Sequence, residues 1–106
     1  MSTKEAPLLE PPTETVASEE TQLCPPWKVI LHNDEITTQE FVVWLLVGLF
    51  GKTFPDAVDL MLEVHEQGSA VVCVCAQERA ELYVEQVHSL ARAQKYPLMA
   101  SCEPDG

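Results

Sequence analysis

The sequence predicts an α+β domain of order βααβαβ, with one small three-stranded antiparallel sheet, three helices packed on one face and a disordered N-terminal tail in front. Three observations carry that expectation. The β-prone runs 27–32 and 70–76, with a short third run at 98–102, are separated by apolar stripes at helical spacing. Gly51, Gly68 and Pro97 punctuate those stripes where helices should stop. A single sheet covered on one face leaves the other face in water, which antiparallel pairing tolerates.

Residues 1–26 hold five Pro and five Glu and no Gly or aromatic residue. Such a segment buries too little apolar surface to offset its ordering entropy, so residues 1–26 read as a flexible extension and 27–106 as the domain. Trp27-Lys28-Val29-Ile30-Leu31-His32 reads as the first strand, and Asn33-Asp34-Glu35 as a polar turn. Thr37-Thr38-Gln39-Glu40 offers a capping box with Thr37 as N-cap and Glu40 at N3. The helix it opens, from Phe41 to about Phe50, is apolar nearly all round, which predicts burial on more than one side. Thr53-Phe54-Pro55-Asp56 starts a second helix, with Pro in the first turn and Asp56 complementing the helix dipole. Its core stripe is Ala57, Leu60, Met61 and Val64. Ala80, Tyr83, Val84, Val87, Leu90 and Ala91 form a third stripe, leaving Glu78, Glu81, Glu85 and Arg92 for solvent and His88 on a polar flank.

Several function classes are disfavoured at once. A formal charge of −11 over 106 residues repels phosphates and anionic lipid surfaces, so nucleic acid and membrane are poor partners and cationic groups are better ones. No apolar run approaches the roughly 20 residues that span a bilayer. The opening residues lack a secretory pattern, so the expected compartment is the cytoplasm. There the four cysteines, Cys24, Cys73, Cys75 and Cys102, are expected reduced. Cys73 and Cys75 would share one face of a strand as small core residues, since a zinc site wants a C-x₂₋₄-C pair and a matching second pair. No metal, no cofactor and no catalytic group is expected. The chain has no Gly-rich phosphate loop, no serine nucleophile elbow and no Cys/His pair with an orienting acid.

The polar corner Asn33-Asp34-Glu35 has an ordinary reading as a turn and a sharper one as a site. The corner is rich in acceptors, it precedes an apolar helix, and His65 lies four residues beyond Met61 on the neighbouring helix. Acceptors around an apolar hole suit a ligand with an ammonium end and an apolar side chain.

The run Trp27-Lys28-Val29-Ile30-Leu31-His32-Asn33-Asp34-Glu35-Ile36-Thr37 resembles the strand-and-turn signature of the ClpS adaptors. Glu40-Phe41-Val42-Val43 is similar to the helix that follows it there, Leu60-Met61-Leu62 with Val64-His65 and Gln67-Gly68 to a second family motif, and Tyr96-Pro97-Leu98 to the C-terminal strand. The likeness runs from about Trp27 to Cys102. It implies a monomeric adaptor, not an enzyme, that binds proteins through a free N-terminal Leu, Phe, Tyr or Trp and delivers them to a ClpA or ClpC type AAA+ unfoldase working with the ClpP peptidase. Carried over by position, Asn33, Asp34 and His65 would hold the α-amino group. Val42, Met61, Val64 and Leu98 would line the side-chain pocket, with Ile36 and Thr37 at its rim. Gln39 stands where many members carry Met, at the pocket's gate, which implies a narrowed or shifted preference. Glu35 replaces the second Asp of the usual pair. Glu78 and Tyr83 fall near the expected unfoldase-docking surface, and Tyr83 replaces a Lys found in some members. The alternative within the same fold is a module that docks the unfoldase without presenting N-degrons.

Overall fold

Trp27–His32 is extended in the computed structural model, which describes residues 25–106, and forms strand β1. The expected extension lies outside the described residues apart from Pro25 and Pro26. The elements that follow are helix α1 (Gln39–Gly48), helix α2 (Phe54–Gln67), strand β2 (Ser69–Cys75), helix α3 (Gln77–Ala93) and strand β3 (Met99–Pro104). The predicted order βααβαβ is therefore observed.

β1 is the central strand, flanked by β2 and β3, both antiparallel to it. Its alternation works as expected. Val29 and Leu31 are fully buried under the helices, while Lys28, Ile30 and His32 face the other way. Lys28 meets Glu103 across that outer face at 3.4 Å, and His32 Nε2 lies 2.8 Å from Ser101 Oγ. The β1–β2 register slips once: Val29 pairs with Cys73 but Ile30 with Val71, so Val72 is an extra residue and still buried. α2 and α3 pack directly on the sheet, and α1 joins the layer through α2. Leu31, Leu45, Leu46 and Leu98 are sealed from water, each contributing about 1.5–3 kcal/mol of apolar burial.

Three helix boundaries differ from expectation, each for a local reason. Thr38 rather than Thr37 caps α1, its hydroxyl accepting from the Phe41 N–H at 3.1 Å. Thr37 is drawn away because its own hydroxyl donates to Asp34. The helix closes at Gly48, and Gly51, at φ 71°, then lets the chain reverse so that the Lys52 N–H reaches Leu46 O at 3.0 Å. α3 ends at Ala93, well before Pro97. Lys95 takes φ 65°, and the Lys95 and Tyr96 N–H groups donate back to Arg92 O and Ala91 O, both at 2.9 Å, closing the helix with a left-handed residue that is usually glycine.

α1 also differs in burial. Phe41, Val42, Leu45 and Leu46 enter the core, but Trp44 and Val47 are exposed. Its apolar circumference is thus only partly covered.

Candidate functional site

The register places the site. His32 pairs with Ser69 on one side and Met99 on the other, so the end of β1 lies beside the start of both neighbours. The corner after His32 therefore sits between the α2–β2 turn and the residues leading into β3. The Asn33 N–H fastens it, donating to Gly68 O at 2.9 Å. Gly68 itself holds φ 93°, a conformation that glycine takes without strain, and its N–H donates back to Val64 O to end α2. One turn earlier on that helix stands His65.

A cavity of about 450 Å³ opens at this junction. Its walls include Val42 from α1, Met61 and Val64 from α2, and Leu98 from the β3 lead-in, all buried. Asn33, Asp34, Ile36, Thr37, Gln39 and His65 also line it, so every residue expected at the amine and side-chain subsites is brought to one cavity. His32, Glu35 and Thr38 line it too. Glu78 and Tyr83 are not part of it. They sit on the first turns of α3, where Tyr83 packs against Phe50 with ring centroids 4.6 Å apart and Arg79 lies 5.9 Å over the Tyr83 ring.

Asp34 organises the rim. Its Oδ1 accepts from the Ile36 N–H at 2.8 Å and the Thr37 N–H at 2.7 Å, and its Oδ2 from the Thr37 hydroxyl at 2.7 Å. This is an Asx-type turn, which short acceptor side chains form with the backbone just ahead of them. Partial burial opposes ionisation, but the bonds from Thr37 and Ile36 and the charge of Arg92 outweigh it, and the carboxyl is held below its ordinary value. A carboxylate oxygen accepts more than one hydrogen bond, so Asp34 retains capacity toward the cavity. Asn33 and His65 are both exposed where they line the cavity.

Two residues of α3 that sequence reasoning assigned to solvent or a polar flank take part in building this site. Arg92 is exposed by area, yet its Nη1 donates to Tyr96 O at 2.7 Å and Leu98 O at 3.2 Å. His88 Nε2 accepts the Ala100 N–H at 3.0 Å, which requires the ring neutral with its proton on Nδ1. Together they hold the segment that leads from Leu98 into β3. Their i, i+4 spacing on one helix face was the available sign, but it does not say which backbone they meet. Tyr96 completes the clamp, its ring 5.0 Å from that of Phe41.

Cys73, Cys75 and Cys102 are half-buried and unbridged. Burial, reinforced by Cys73, pushes the Cys75 thiol up to about 11, and burial with nearby Glu81 raises Cys102. Both shifts favour the protonated thiol. Among the described residues, no group of three or more His, Cys, Asp or Glu could hold a metal ion, and no helix is long and apolar enough to cross a membrane.

The cavity combines apolar walls with acceptor side chains at its mouth, the general make-up of a ligand-binding pocket. Comparison with known proteins makes this specific. Residues 22–101 match the family model for the ATP-dependent Clp protease adaptor protein ClpS. The ClpS adapter of Desulfatibacillum aliphaticivorans is 48% identical over 79 residues, covering 74% of this chain and 76% of that one. That of Myxococcus xanthus is 40% identical over 93 residues, covering 88% and 87%. The structure of Agrobacterium tumefaciens ClpS2 bound to L-phenylalaninamide superposes with a TM-score of 0.74 at 34% identity, covering 76% of this chain and 98% of that one. The chain belongs to the ClpS family of adaptors of the ATP-dependent Clp protease.

Proposed function

We propose that this adaptor binds proteins by a free N-terminal residue with a bulky hydrophobic side chain, and delivers them in the cytoplasm to a ClpA or ClpC type AAA+ unfoldase and ClpP. The observation that carries the reading is the juxtaposition of Asn33, Asp34 and His65 with the walls Val42, Met61, Val64 and Leu98 around one cavity. An α-ammonium has three N–H donors and wants acceptors in as many directions. Asn33 offers a carbonyl oxygen, Asp34 a carboxylate and His65 a ring nitrogen while neutral. Leu, Phe, Tyr or Trp then fills the apolar part. L-phenylalaninamide, held by the related ClpS2, has this combination of free α-amine and apolar ring.

Selectivity follows from the chemistry. Charge-assisted bonds contribute roughly 1.5–3 kcal/mol each, and burial of the side chain a similar amount. Acetylation removes the charge and two of the three donors, and adds a bulky acetyl group where the acceptors stand. Gln39, exposed on the first turn of α1, brings an amide to the cavity edge where many relatives place Met, which favours a narrowed set of N-terminal residues. Glu78 and Tyr83 are assigned to unfoldase docking, on a part of α3 remote from the cavity.

The test is fluorescence anisotropy of a labelled peptide beginning with Phe beside its acetylated counterpart. Saturable binding of the free form alone is expected. Equal binding of both, or of neither by folded protein, would contradict the proposal.

A further inference from the structure

A second concavity, of about 610 Å³, runs between α1 and α2. Val43, Trp44 and Val47 line it from one helix, Phe54 and Val58 from the other. Its exposure is unusual for such residues: Trp44 is 57% and Phe54 66% accessible. The Trp44 ring is not loose, since it stacks on Phe41 with centroids 5.6 Å apart. Of the residues lining the groove, only Glu40 is charged.

The groove adjoins the cavity of the amine site, because Gln39 and Met61 line both. From Gln39 to Val47 is eight helical residues, about 12 Å, and an extended peptide covers that length in three to four residues. Other occupants fit less well. A second copy would bring another −11 of charge to this face. The chain's own residues 1–24 carry five Glu against one Lys.

We infer that the groove takes the substrate residues that follow the N-terminal one, and that it selects apolar side chains at the third and fifth positions. This rests on the N-terminal recognition proposed above. In an extended peptide, residues 1, 3 and 5 face the same way. With the first side chain in the cavity, the third and fifth fall toward Trp44, Val47 and Phe54, and the second and fourth toward solvent. The adaptor thereby reads a short pattern rather than one residue.

The experiment compares labelled Phe-Ser-Leu-Ser-Leu and Phe-Leu-Ser-Leu-Ser peptides, extended by a common polar tail, and a control with Ser at every position after the N-terminal Phe (the all-Ser peptide), on wild type and on the double variant Trp44→Ser/Phe54→Ser. Both substituted side chains are exposed, so the fold should persist. The 3,5-leucine peptide is expected to bind wild type about tenfold more tightly than either other peptide. The double variant should lose that advantage while holding L-phenylalaninamide as wild type does. Equal affinities for the two patterned peptides overturn the groove assignment alone. Failure of wild type to bind L-phenylalaninamide and the all-Ser peptide overturns it together with N-terminal recognition. A dimer seen by sedimentation, abolished by the double variant without any effect of leucine position, assigns the groove to a second copy and overturns it too.

Discussion

Replacing Asp34 separates two tasks that one carboxylate performs. It orders the rim through three hydrogen bonds from Ile36 and Thr37, and in the proposed complex it meets the ammonium. Asp34→Asn keeps an oxygen for the two backbone N–H groups, and the Thr37 hydroxyl can turn to accept from the new amide. The rim should survive, with a melting temperature close to wild type. The charge is gone, so one charge-assisted bond falls to a neutral one, a loss of about 1–1.5 kcal/mol or roughly five- to tenfold in affinity for a Phe peptide. Asp34→Ala removes the turn as well. Its folding cost resembles loss of a helix cap, about 0.5–2 kcal/mol, and its binding loss should exceed that of Asn. Anisotropy and thermal denaturation of the two variants side by side read both tasks. If Asp34→Asn bound like wild type, the carboxylate charge would not be what holds the amine. The pH dependence has a definite sign. The folded carboxyl lies below its ordinary 3.8, so its stabilising contribution is complete above that value and is lost as pH falls through the lowered one. Asp34→Asn should abolish that acid-side loss.

Other substitutions probe the gate, the clamp and the helix end. Gln39→Met should broaden the accepted N-terminal residues toward Leu, read from a panel of peptides differing only at position one; an unchanged profile removes Gln39 from the gate. Arg92→Met should loosen the segment carrying Leu98 and weaken Phe-peptide binding by about tenfold, with Arg92→Lys in between because it keeps charge but not the fork. Wild-type affinity in Arg92→Met would mean that Leu98 needs no clamp. Lys95→Gly should raise stability by about 0.5–1 kcal/mol, since Lys95 holds φ 65°, and a lowered melting temperature would contradict the strain reading.

The elements were legible because each announces itself locally. Alternation marks β1, the stripe Ala57, Met61 and Val64 marks α2, and Gly68 marks its end. The convergence of Asn33, His65 and Leu98 was not local. It depends on the pairing of His32 with both Ser69 and Met99; the residues alone offered the Asn33 corner with His65 as one of two readings, and only the resemblance to the family added Leu98. The misplaced cap shows a competition that sequence does not weigh: Thr37 and Thr38 are equal candidates until Asp34 claims the first. Arg92 is exposed as expected, but its bonds to backbone, like that of His88, were not foreseen, because backbone groups on a later segment leave no mark in composition. The partial exposure of α1 was missed for another reason. Its apolar circumference predicts burial, but among the described residues nothing covers Trp44 on this outer helix.

An adaptor must hold two partners at once, and α3 bears on whether this one can. Glu78 lies in its first turn and Arg92 in its last, fourteen residues or about 21 Å apart along the axis. The clamp on Leu98 is at the Arg92 end, so the cavity is supported by the end of α3 remote from the proposed docking residues. A partner seated on Glu78 and Tyr83 would therefore leave the cavity mouth open, and a peptide in the cavity would not contact that partner through α3. Separation of this kind permits simultaneous engagement but supplies no coupling, since α3 is one helix with no second arrangement in view. Affinity for an N-terminal Phe peptide should thus be equal, within about twofold, for wild type and the double variant Glu78→Lys/Tyr83→Ala. A large change would place the docking residues in communication with the cavity, and Phe50, packed on Tyr83 just beyond the end of α1, would be the contact through which it passes.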